Sequence, residues 1–229
     1  MRGLAEPDWV PYLCECMEAA AKERVLVPES EKAAALERGK KAVSIGRKFF
    51  NATFESYIAK LPEQKEALDL VRGFTENFNK ALDIGQWLLL IGNVGTGKTH
   101  LAVAAMNEVM RKGHTARYIK VRRLIQLIKD NWTTRTQAES VLLKPFVDAD
   151  LLVLDEIGVQ FASKTEQDIL YDLLDGRYEE KKPVIITTNL DYDRFSEVVG
   201  VRILDRVLDG ACDSRVVVFT WESYRNGQK

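Results

Sequence analysis

Residues 92–99 read GNVGTGKT and satisfy the spacing G-x-x-x-x-G-K-[ST], a pattern whose chemistry is the grip on a polyphosphate. Gly95 and Gly97 let the backbone turn its N–H groups toward phosphate oxygens, and the helix that follows adds partial positive charge at its N-terminus. Lys98 then reaches the β and γ oxygens, and the Thr99 hydroxyl coordinates Mg²⁺. The expected contact set is Gly92, Asn93, Val94, Gly95, Thr96, Gly97, Lys98 and Thr99, with His100 beside it. In a chain of ordinary composition such a match arises by chance roughly once in a hundred sequences or less, before its context is counted. ATP and Mg²⁺ are therefore the implied ligands.

A second acidic element, LLVLDE at 151–156, supplies what the glycine loop lacks. An Asp at the C-terminal end of the strand neighbouring the loop falls beside it, so Asp155 is expected to hold the metal's water shell. Glu156 is expected to polarise the attacking water, the step that separates hydrolysis from binding. The plainer alternative for Glu156 is a surface acid after a strand. The strand ending TTN at 187–189 places Asn189 at the same edge, where ligands bind in open α/β sheets, either to orient that water or as an ordinary turn residue. In RILDR, Arg202 and Arg206 stand four apart and share one helical face above Ile203, Leu204 and Val207. Such arginines reach the nucleotide of a neighbouring subunit, or else pair locally with Asp205 or Asp209.

The elements that must position these groups alternate in strand and helix periods, which predicts an α/β domain with a parallel sheet flanked by helices. Strands are expected at 87–91, 117–121, 151–155, 183–188 and 215–220. Helices are expected at 63–82, at 98–112 with Gly113 closing it, over RRLIQLIKDNW, in a second segment ending near Phe146, at 165–178, and as one or two short helices after Asn189.

Lys plus Arg number 33 against 34 Asp plus Glu, so no global field drives binding to nucleic acid or membrane and any basic surface is local. No run approaches a membrane span of about 18 apolar residues. Three cysteines, Cys14, Cys16 and Cys212, do not make a disulfide framework and favour a reducing, cytoplasmic compartment. The segment 117–135 holds six basic residues and one acid together with Trp132, a mix of charge and stacking surface suited to single strands. A solvated helix face with a core Trp is the alternative. Ahead of the sheet, residues 1 to about 50 contain CEC and the basic run RGKKAVSIGRK, which reads as a separate small helical appendage with the boundary at 50–57.

Taken together, GNVGTGKTHLA, LLVLDEIG, TTN, ILDR and a terminal ESYR resemble the AAA+ ATPases of the DnaC/DnaI helicase-loader group, and also the related IstB transposition ATPases, over about residues 45–225. The resemblance puts Lys98, Thr99, Asp155, Glu156, Asn189 and Arg206 on the Walker A, Walker B, sensor 1 and arginine-finger positions, and Arg225 on that of a sensor 2 arginine. It implies a P-loop (AAA+) fold, an ATP-dependent homo-oligomer, a DnaB-type replicative helicase as partner gripped by residues 1–50, and an ATPase domain over 51–229. It also implies single-stranded DNA on the side that carries Trp132, Phe161, Ser163 and Lys164. The segment FFNATFESY, and CEC followed by a basic helix, tilt the resemblance toward the loaders. Three departures stand against the pattern. Cys14 and Cys16 cannot assemble four ligands, so no zinc is expected; Val201 replaces an acid before the arginine; and the chain ends soon after Arg225, leaving no room for a C-terminal helical lid. An ATPase assisting transposition and an ATP-binding adaptor that clamps without hydrolysis are the competing readings. A bacterial or phage-encoded cytoplasmic protein fits all three.

Overall fold

Strands that are apolar on both faces are stable only where helices cover both sides of a sheet, and the buried runs WLLLI, LLVLD and VIITT demand that arrangement. The computed structural model describes residues 45–46, 48–135, 137–158, 163–209 and 212–224. The expectations placed on residues 1–44, with Cys14 and Cys16, and on Phe161 and Arg225 lie outside the described residues.

Helices α1 (Pro62–Glu76) and α2 (Phe78–Ile84) lead into β1 (Trp87–Gly92), followed by α3 (Lys98–Arg111), β2 (Ala116–Lys120), α4 (Val121–Thr134) and α5 (Glu139–Asp148). Then come β3 (Leu151–Ile157), α6 (Lys164–Glu179), β4 (Val184–Thr188), α7 (Tyr192–Val207) and β5 (Arg215–Phe219). All pairings are parallel, in the order β2-β3-β4-β1-β5. Alternation along β1 sends Leu88 and Leu90 into one core layer, and Trp87, Leu89 and Ile91 into the other. The first layer is covered by α1, α2 and α3; residues of α4, α6 and α7 fill the second.

Helix α3 buries an unbroken run from 101 to 107, so the helix that begins at the glycine loop is anchored through the centre of the domain. One of the expected helices differs in detail: the stretch 63–82 is two helices, parted at Asn77 and closed by Gly85 in a left-handed conformation at φ 69. The segment after Asn189 has the expected helical character, in two pieces of α7 that meet at Gly200, φ 76 and ψ 163. The β2 strand starts one residue before its expected position and yields Val121 to α4, because Val121 is fully buried beneath that helix. Residues ahead of the first helix also join the core: Ala52 and Phe54 are buried, Ile45 and Phe49 pack against the same layer, and Asn107 Nδ2 donates to the Phe50 and Ala52 carbonyls. The packed unit thus extends to the N-terminal side of residue 51.

Candidate functional site

Between β1 and α3 the chain must turn sharply, and it does so through left-handed glycines, Gly92 at φ 126, Gly95 at φ 79 and Gly97 at φ 102. A side chain at Gly92 would strike the Phe219 backbone at 2.3 Å, so the loop is pressed against the end of β5. Lys98, only 5% exposed, folds its ammonium under the loop and donates to the Gly92 carbonyl at 2.6 Å and the Asn93 carbonyl at 2.5 Å. Burial pulls its pKa down to about 8, against the attraction of Asp155. Asn93 ties the loop outward, its Nδ2 donating to the Thr220 carbonyl at 2.9 Å.

Asp155 is wholly buried and accepts three hydroxyls: Thr99 Oγ1 at 2.9 Å and Thr187 Oγ1 at 2.6 Å on Oδ1, and Tyr118 OH at 2.5 Å on Oδ2. Sequence spacing alone suggests that Asp155 stands on the strand next to the loop; in the fold, β4 intervenes between β3 and β1. Thr187 at the end of β4 bridges that gap. Burial and the facing Asp155 carboxylate raise the Tyr118 pKa, so its hydroxyl remains a donor. The Thr99 hydroxyl and the Asp155 carboxylate are hard oxygen donors side by side, a set that suits Mg²⁺ shared with substrate phosphates. Among the described residues no group of three His, Cys, Asp or Glu makes a self-sufficient metal cage.

Glu156 follows with φ 63, at a slip in register between Leu154 and Ile157. Its amide donates to Thr187 Oγ1 at 3.0 Å, and its exposed carboxylate pairs with Lys120 Nζ at 2.8 Å. The left-handed residue upsets simple alternation, so both acids of the DE pair reach residues of β2, Asp155 meeting Tyr118 and Glu156 meeting Lys120. Neither Tyr118 nor Lys120 was evident from the sequence.

The loop, Glu156, Thr187 and Asn189 line one cleft of about 390 Å³ that continues toward Phe49, Tyr57 and Trp221. Asn189 thus lies where the sequence puts it, exposed at the cleft rim. His100 lines the same cleft and meets the Thr53 carbonyl at 3.0 Å and Ser56 Oγ at 3.1 Å. An aromatic wall beside a phosphate loop is the surface on which a purine base stacks.

Arg202 and Arg206 are elsewhere. They sit on the half of α7 beyond Gly200, against α6, and neither lines the cleft. Arg206 pairs with Asp175 at 2.6 Å and donates to Tyr171 OH at 3.1 Å, while its Asp205 neighbour is 3.9 Å away. Its main partner is therefore an acid of α6, and neither Asp205 nor Asp209. Arg202 lies 3.5 Å over the Tyr171 ring. On the surface that the resemblance assigns to single-stranded DNA, Trp132 is 43% exposed and donates to Glu139 at 3.0 Å, so it is no core residue. Ser163 caps α6 by accepting from the Glu166 amide, Lys164 opens that helix, and a Lys129–Glu166 ion pair at 2.8 Å joins α6 to α4 one turn before Trp132.

The sequence profile of the family described as IstB-like ATP binding protein matches residues 55–229. The replicative helicase loader DnaC of Escherichia coli (strain K12) is 34% identical over 204 residues, 85% of this chain and 81% of that protein. The crystal structure of the DnaC helicase loader superimposes with a TM-score of 0.67 at 26% identity, over 76% of this chain and 99% of that one. The crystal structure of DnaI, at 20% identity, shares the fold with a TM-score of 0.65 over 81% of this chain and 98% of its own.

Proposed function

Since the chain belongs to the IstB-like ATP-binding protein family and has the DnaC helicase loaders among its relatives, we propose that it is an ATP-switched loader that delivers a hexameric DnaB-type replicative helicase onto single-stranded DNA. By family and fold it is an AAA+ ATPase. The observation that carries the reading is the convergence of Lys98, Thr99 and Glu156 on one cleft at the carboxyl edge of the sheet, with Asp155 buried directly behind Thr99. Lys98 exchanges its loop carbonyls for β and γ oxygens as ATP enters. Thr99 and Asp155 would hold Mg²⁺, which when bound would neutralise developing charge on the phosphates. Glu156, once parted from Lys120, accepts the proton of the attacking water, with Asn189 orienting that water. Arg206 acts on the cleft of a neighbouring subunit in an ATP-dependent homo-oligomer, and Arg202 supports it. The surface of Trp132, Ser163 and Lys164 meets single-stranded DNA, and residues 1–50 grip the helicase in the bacterial cytoplasm.

Co-purification tests the partner. The replicative helicase of the host should be retained by the full chain and lost from a chain beginning near Ile45, which keeps the residues packed on the core and still binds ATP; retention by the shortened chain would reassign the grip. The family profile itself favours a second reading, an ATPase assisting transposition, which capture of a transposase in place of the helicase would establish. Phosphate release by the wild type, falling roughly 10²- to 10⁴-fold in Glu156→Gln, separates both from a non-hydrolysing clamp.

A further inference from the structure

The glycine motif does not hold its shape alone. We propose that Tyr57 and Trp221, both outside it, are positioning residues that fix the loop's phosphate-binding geometry by holding the Thr96 carbonyl from two sides, an inference that rests on reading this loop as the nucleotide site. Trp221 Nε1 donates to that carbonyl at 3.0 Å and Tyr57 OH to the same oxygen at 3.4 Å, one for each of its lone pairs. The peptide between Thr96 and Gly97 is trans and planar, so its N–H points opposite to its C=O. Pinning the oxygen therefore aims the Gly97 N–H, the first donor at the head of α3.

Both donors are themselves fixed. Trp221 is 7% exposed and packs on the Phe219 ring at 4.8 Å, and the Phe219 carbonyl accepts the Asn93 amide at 2.9 Å. The Tyr57 ring occupies the space a Gly97 side chain would need, with Cε2 2.6 Å from the position of a Cβ. Burial pushes the Tyr57 hydroxyl up to about 12, so it stays protonated and donating. One residue earlier, the Tyr224 amide donates to the Gly95 carbonyl at 3.0 Å. Segments before α1 and after β5 thus clasp the loop from opposite ends of the domain, and a donor array already aimed loses less freedom when phosphate binds.

Tyr57→Phe keeps the ring and removes only the donor, whereas Trp221→Phe removes the donor together with part of a buried ring. Calorimetric titration of the full chain with ATP, inorganic tripolyphosphate and adenosine reads the effect. We expect affinity for ATP and for tripolyphosphate to fall by a common factor, about twofold for Tyr57→Phe with its long bond and roughly fivefold to tenfold for Trp221→Phe, with adenosine unaffected. Tyr57→Phe leaves no cavity, and it carries the test alone if Trp221→Phe folds poorly. Unaltered tripolyphosphate affinity in the variants overturns the inference, as does a parallel loss for adenosine, which would mean that the rings serve the base or the fold. A wild-type chain that binds neither ATP nor tripolyphosphate removes the nucleotide reading and this inference with it. Normal wild-type binding with unaltered variants removes the inference alone.

Discussion

Asp155 and Arg206 are both charged side chains held by several neighbours, but the neighbours differ in kind. Asp155 accepts from three neutral hydroxyls, those of Thr99, Thr187 and Tyr118, which orient the carboxylate and leave its charge available to a cation. Arg206 is held by the carboxylate of Asp175, which cancels much of the charge that would act on a phosphate. Glu156 resembles Arg206 in this respect, being paired with Lys120. On the proposed roles, the groups that bind nucleotide are thus set in place by neutral partners, whereas Glu156 and Arg206 are each tied to a counter-ion. On that proposal binding is prepared within one chain, and turnover would need ion pairs to open.

The strongest way to break that contrast is Arg206→Ala. A finger acting in trans should leave ATP affinity unchanged and lower hydrolysis by roughly 10³- to 10⁵-fold, and mixing the variant with Lys98→Ala subunits should restore part of the turnover. If phosphate release falls no further than in Asp175→Ala, and both variants lose the same thermal stability, Arg206 is only that acid's structural partner.

Next in size is Lys98→Ala. Two charge-assisted contacts to phosphate are worth about 3–6 kcal/mol together, so ATP affinity should drop by roughly 10²- to 10⁴-fold in a titration. The fold should survive, since the group removed is a buried cation. The same residue gives a pH signature of two opposite signs. As pH rises through about 8 the Lys98 ammonium loses its proton and ATP affinity should fall by up to about tenfold per pH unit. Over the window from about 8 to 10.5, the folded and ordinary values of this group, the unfolded chain binds more protons than the folded one. Its contribution to stability should therefore rise with pH. A Lys98→Met chain should show neither trend.

The fold was legible where local chemistry decides it. Continuous apolar runs announced the buried strands, Gly113 the end of α3, and the glycine spacing the loop. What the sequence did not carry was lateral order. Thr187 enters the site because β4 lies between β1 and β3. Lys120 meets Glu156 because β2 pairs with β3 in a register that sets Lys120 opposite Asp155. Asp175 could not be chosen over Asp205 or Asp209 for Arg206 without knowing that α6 packs along α7. Trp132 was undecided for a similar reason, since a period-3.6 pattern does not say how far a helix's last turn extends past the core.

The smallest effect concerns Lys120. Its pair with Glu156 is half exposed on both sides, and exposed ion pairs contribute about 1 kcal/mol at most. Lys120→Ala should thus raise basal phosphate release no more than about fivefold, with ATP affinity unchanged. A fall instead would make Lys120 part of the hydrolytic apparatus and blur the contrast drawn above.

Gly200 has a consequence for local opening. Its left-handed φ interrupts the ladder of amide-to-carbonyl bonds along α7, so the segment bearing Arg202 and Arg206 is less than two turns of independent helix. It is anchored by buried Ile203 and Val207 and by the Asp175 pair. So short a unit opens with a lower free energy than the core strands, and its amides should exchange with deuterium ahead of those of β1 and β3. If this segment docks against a second subunit as proposed, that exchange would slow, and residues 201–207 would be the place where assembly first registers as protection.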